Sequence, residues 1–217
     1  MRSTIITLTF LSVFFVAPGL ADDLPKPKFR TGTIAEPKAV PNGKVVVVAT
    51  QEVPKPLVKR IADHLSGNLM IGVRQESAPV PKSGPLALLS KFEKSDGVAV
   101  ILESRQGVSL ADSLAVYTNL NICVVNVVAL RPKAKTKLPS DEVLGRRTEK
   151  LVIQGVGRCI GMPFCLNPWC AMRGHVSMAD LDEKGRNFCP VCLGKAMTAL
   201  PANGIKLELP TVKIKGK

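Results

Sequence analysis

The sequence predicts an α/β or α+β domain, a β-sheet with helices packed on it. Three observations carry this. Short β-branched runs alternate with segments of helical period between residues 44 and 139. One long helical segment follows from Ser140. Aromatic residues make up only 4% of a chain that is 46% hydrophobic, so Val, Ile and Leu must fill the core.

Lys44–Thr50 (KVVVVAT) is a continuous β-branched run and predicts a strand buried on both faces. Pro54–Leu65 carries Leu57, Ile61 and Leu65 at helical spacing, with Gly67 placed to end the helix. Leu69–Gln75 predicts a second strand. Pro85–Lys94 has Leu86, Leu89 and Phe92 on one face and predicts a helix. Gly97–Glu103 (GVAVILE) predicts a third strand. Ser113–Tyr117 and Leu120–Leu130 are two further strands, joined by a turn at Thr118-Asn119. Ser140 predicts an N-cap, and Asp141 and Glu142 favour the positive end of the helix it starts. Leu144, Leu151 and Val152 give that helix its apolar face, and Gly161 is expected to end it.

The two ends read differently. Residues 1–21 have a basic start at Arg2, an apolar run from Ile5 to Val16, and small residues before a cleavage point after Ala21. This is the pattern of a secretory signal peptide, and it places the mature chain outside the cell or in the periplasm or cell envelope. The apolar run is shorter than the roughly 20 residues that span a bilayer, so no transmembrane segment is expected after cleavage. Residues 22–43 are rich in Pro and Lys and read as a linker. Residues 201–217 form a basic tail in which IKLELPTVKIK could make a short edge strand. The formal charge is +13, and removing residues 1–21 takes away only Arg2, leaving +12. Such a charge could bind an anionic polymer, but a soluble basic surface is the favoured reading; a peptide is the other partner expected. The lysines are spread out, and no Arg/aromatic platform points to a specific nucleic acid. Oligomeric state has no signature here.

The chemistry lies in residues 154–172, QGVGRCIGMPFCLNPWCAM. A metzincin protease uses HExxHxxGxxH. Two His one helical turn apart bind zinc, the Glu takes a proton from zinc-bound water, and the glycine turns the chain towards a third His. In the same frame this chain has Gln154, Gly155, Arg158, Gly161 and Phe164. Cys165 follows at once, then Cys170, Met172, and Cys189-Pro190-Val191-Cys192. This order resembles the archaemetzincins, zinc metallopeptidases that join HExxHxxGxxH to a second, four-cysteine zinc site with a methionine turn between. DEVLGRRTEKLVIQGVGRCIGMPFC resembles their catalytic helix, and YTNLNICVVNVVALRP the strands before it.

The resemblance implies a domain over residues 44–200: sheet and helices in 44–139, the former catalytic helix in 140–161, and a four-cysteine part in 162–200. The fold it implies is a metzincin-like mixed sheet flanked by helices. It also implies one structural zinc ion on Cys165, Cys170, Cys189 and Cys192, Gly161 as the turn glycine and Met172 in the methionine turn. The spacing itself suits zinc, but in an exported protein the same four cysteines could instead form disulfides, in three connectivities. The catalytic residues do not carry over. Gln is a poor zinc ligand, Arg158 brings a fixed positive charge, Phe164 coordinates nothing, and Gly155 has no base. His64, expected on a solvated face beside Asp63, and His175, beyond the methionine turn, are not expected to rebuild the site. Cys123 and Cys159 read as buried free thiols. Trp169 is expected to cap the cysteine core, and Asp180, Asp182 and Glu183 to form a solvated turn. The expected protein is a secreted pseudo-peptidase that binds without cutting. The alternatives are an active zinc metallopeptidase with a non-standard site and a basic envelope or polyanion-binding protein.

Overall fold

The computed structural model describes residues 43–208, apart from 82–83, 85–86, 89–91, 93–95 and 133–137. The expected signal peptide, nearly all of the linker and most of the expected helix at 85–94 lie outside the described residues. Five strands are described: β1 (Lys44–Thr50), β2 (Val73–Ala78), β3 (Asp96–Glu103), β4 (Leu114–Tyr117) and β5 (Ile122–Asn126). They form one mixed sheet in the order β2-β1-β3-β5-β4. The first four are parallel, and β4 runs antiparallel to β5 at the edge.

The VVVV run of β1 is buried on both faces because the sheet has two covered sides. Val45, Val47, Val98, Val100, Cys123 and Val125 face the larger core, and Val46, Val48, Ala99, Ile101, Ile122 and Val124 face a smaller one. Successive strand side chains point to opposite faces, so the run divides evenly. Helices α1 (Lys55–Leu69), α2 (Ser140–Cys159) and α4 (Pro190–Ala202) contribute to the larger core, and the short α3 (Met178–Glu183) adds Leu181 to it.

Several boundaries differ from expectation for identifiable reasons. Helix α1 passes through Gly67 and ends at Met70, which has a left-handed φ of 51°. Leu69 is buried and prolongs the stripe of Leu57, Ile61 and Leu65 by one more turn, so packing overrides the glycine signal. β2 consequently starts at Val73 rather than Leu69. Ser140 is not a cap: it is the first helical residue, Pro139 holds the cap position, and no side chain bonds the free N–H groups there. β5 stops at Asn126 because the Asn126 carboxamide oxygen accepts from the N–H groups of Val128 and Ala129, at 3.0 and 3.1 Å, and turns the chain. Past α4, Ile205 bridges Gly43 and Leu207 bridges Ile71.

Helix α2 is buried continuously from Val143 to Gly145 and from Arg147 to Gly157. Two glycines let it lie close to its neighbours. A Cβ on Gly155 would sit 2.7 Å from Cys123 Sγ and 2.8 Å from Cys123 Cβ; one on Gly157 would sit 2.5 Å from Met172 Sδ. Arg60 of α1 bonds Glu142 and Glu149 of α2 and ties the two helices together.

Gly155→Ala should lower stability by about 1–2 kcal/mol in urea unfolding, because overpacking against a strand outweighs the helix-propensity gain. Gly194→Ala in α4, where an added Cβ meets nothing within 4 Å, should instead raise it by up to about 1 kcal/mol. Separately, hydrogen bonds from Arg60 and then Arg146 hold the Glu142 carboxyl down, at about 2. Its folded value lies below its unfolded one, so its contribution is present above the unfolded value of 4.5 and is lost as pH falls towards 2. Glu142→Gln should flatten that acid limb of the stability–pH curve.

Candidate functional site

Helix α2 presents residues 154 and 158 on one face, because they are four positions apart. Gly161 adopts φ +85° just beyond the helix, a conformation open to glycine without a Cβ penalty, and brings Phe164 round. The three positions where the metzincin frame has histidines therefore meet. Gln154, Arg158 and Phe164 line one cavity of about 520 Å³, with Leu114 and Val116 of edge strand β4 and with His175. The Arg158 guanidinium lies over the Phe164 ring, 4.8 Å from its centroid, and donates to the Met162 carbonyl at 3.1 Å. Phe164 is 60% exposed at the mouth.

Gln154 has a role that its place in the motif did not suggest. It is buried, and its Oε1 accepts from the ammonium of Lys184 at 2.8 Å; Lys184 also donates to the Arg173 carbonyl at 3.1 Å. Lys184 is only 2% exposed. Burial, and then the Lys150 charge, pull its pKa down to about 7. The space beside Gly155 is filled by Cys123. Cys123 and Cys159 are both buried, as expected; the Cys159 side chain and burial push the Cys123 thiol up.

His175, set aside in the sequence as unable to rebuild a zinc site, is brought to this cavity by the structure. It faces the cavity, and its Nδ1 is buried without a hydrogen-bond partner. Burial, and then the Lys184 charge, lower its pKa to about 4. No spacing rule joins it to the HExxH frame; the chain beyond Met172 brings it to the cavity wall. His64 is not on an open face. It is half-buried, within 3.3 Å of the Arg186 carbonyl and 3.1 Å of the Asn68 carboxamide.

The four cysteines converge. The sulfurs of Cys165, Cys170, Cys189 and Cys192 all lie within 4.8 Å of one another and could hold a metal ion. Cys165 and Cys189 sulfurs are 3.9 Å apart. A tetrahedral zinc with bonds near 2.3 Å needs sulfurs about 3.8 Å apart, so the set fits that ion. Backbone N–H groups point at the sulfurs: Asn167 donates to Cys165 at 3.4 Å and Cys189 to Cys170 at 3.3 Å. Cys189 caps α4, with Pro190 at its first position. The Cys192 N–H lowers the Cys189 thiol to about 7, whereas burial raises those of Cys170 and Cys192. Met172 is fully buried beneath Gly157.

Trp169 does not cap this core. It is 75% exposed, and its backbone carbonyl, not its ring, packs on Gly185. The acidic run is also more than a solvated turn. Asp180 completes a capping box with Ser177 at the start of α3. Asp182 takes both Nε and Nη2 of Arg147, at 2.7 and 2.6 Å.

No protein-family model matches this chain. Solved structures do. The archaemetzincin of Methanopyrus kandleri superposes with a TM-score of 0.59 at 20% identity, covering 76% of this chain and 98% of that one. The archaemetzincin of Archaeoglobus fulgidus, solved with malonate, gives 0.53 at 18% identity over 70% of this chain and 99% of that one. The fold is that of the archaemetzincins. Sequence matches support the same family. The archaemetzincin of Thermococcus kodakarensis is 35% identical over 81 residues, 37% of this chain and 44% of its own length. That of Pyrococcus horikoshii is 32% identical over 79 residues, 36% of this chain and 42% of its own. The matched region thus spans less than half the length of these curated archaemetzincins.

The Gln154–Lys184 pair gives a test. Gln154→Leu should destabilise the chain by about 1–3 kcal/mol, because a buried ammonium loses an acceptor. Adding Lys184→Met should cost less than the sum of the two single changes, in a double-mutant cycle by urea unfolding.

Proposed function

We propose that this chain is an exported archaemetzincin-like protein that binds peptide in the cleft between α2 and β4 without cutting it, and that its four cysteines hold a structural zinc ion. One observation carries the reading. At the cavity where the archaemetzincin frame places zinc ligands, this chain puts Gln154, Arg158 and Phe164. Gln154 is committed to a buried ammonium, and Arg158 repels a divalent cation. Cys123 fills the space a base at position 155 would need. An apolar cleft bordered by an edge strand remains, and such clefts bind small ligands and peptide segments.

For the cysteines, the convergence of four sulfurs on one point supports one ion over two separate disulfides. Zinc held by four thiolates keeps no open position for water, so its part is to tie loops together. Here it would join the 165–170 loop to the start of α4.

Purified protein should contain one zinc per chain by elemental analysis. Cys170→Ser or Cys189→Ser should remove it and lower the melting temperature. Peptide libraries incubated with the protein should emerge intact by mass spectrometry. Two zinc ions per chain together with chelator-sensitive cleavage would overturn the non-catalytic reading. A metal-free chain with two disulfides would overturn the zinc assignment.

A further inference from the structure

We infer that the cleft recognises a carboxylate on its peptide, with Arg158 as the charged donor. This rests on the cleft being a peptide-binding site. The lining of the cavity contains no Asp or Glu. Among the described residues, Arg158 has no carboxylate partner. One of its five N–H donors goes to the Met162 carbonyl, and its central carbon lies over the Phe164 ring at 4.8 Å from the centroid. A guanidinium held in this way is pre-oriented for a bidentate carboxylate.

The His175 ring also lines the cavity, and with its pKa lowered to about 4 by burial it places no anionic group there. The remaining walls are apolar, with Leu110, Leu114, Val116 and Val176. A flat cationic surface would take any polyanion; an apolar cleft with one oriented guanidinium suits a single carboxylate beside hydrophobic side chains.

The carboxylate could be a peptide C-terminus or an Asp or Glu side chain, and three fluorescein-labelled Leu/Ala heptapeptides separate these. The first ends in a free carboxylate, the second is the same peptide amidated, and the third is amidated with one internal Asp. Anisotropy titration against the whole chain should give a Kd at least tenfold lower for the first or the third than for the second. Whichever binds tighter names the source. Arg158→Gln should abolish the preference, and Arg158→Lys should keep part of it. Lys195→Gln, an exposed charge on α4, should leave it intact. Circular dichroism of each variant confirms that the fold is retained. Equal binding of all three peptides, or a preference that survives Arg158→Gln, overturns the carboxylate inference and leaves peptide binding standing. Cleavage of the probe overturns the non-catalytic reading instead, and absence of binding to all three overturns both peptide binding and this inference.

Discussion

The burial of charge along α2 is the constraint on which the rest of the structure depends. Arg147, Glu149, Lys150 and Gln154 are all on the buried part of this helix. A buried charge without partners is strongly unfavourable, so other parts of the chain must supply them. The 181–186 segment does most of this. Asp182 takes Arg147, the carbonyls of Leu181 and Asp182 take Lys150, Lys184 reaches Gln154, and Arg186 reaches Glu149. Glu149 is shared with Arg60 of α1. The C-terminal part is thus held against α2 by directional bonds as much as by apolar contact.

That clasp also determines the functional geometry. The segment that satisfies α2 leads directly into Cys189 and Cys192, so the two halves of the cysteine cluster meet where α2 places them. The same path carries Met172 under Gly157 and returns His175 to the cavity. The cleft and the cysteine cluster are two results of one packing arrangement. A metal at the cysteines would stabilise a turn that the ion pairs already position.

The strands were readable because their chemistry is local. KVVVVAT states a buried strand in seven residues, and β1 has those limits. The helix α2 was readable from its acidic start and its glycine end, and the cysteine cluster from spacing together with the resemblance to archaemetzincins. The errors came where long-range contacts override local signals. Gly67 fails to stop α1 because Leu69 gains burial. Ser140 does not cap, since Pro139 already sets the turn. Trp169 faces outwards because its carbonyl, not its ring, meets Gly185. The roles of Lys184 and His175 had no local signature at all: each lies beyond the motif and acts through a partner far along the chain.

By itself the sequence determined the buried strands and the long helix, since these depend on side-chain type at short spacing; the mixed sheet, the turn glycine and the joint four-cysteine site followed from the resemblance to archaemetzincins. It also determined which side chains occupy the metzincin frame. Only the tertiary structure decided what those side chains do. Gln154 is an acceptor for a buried ammonium, Arg158 is oriented on Phe164, and the place beside Gly155 belongs to Cys123. These outcomes depend on residues from other strands and loops arriving at one cavity, and spacing along a chain carries no record of that.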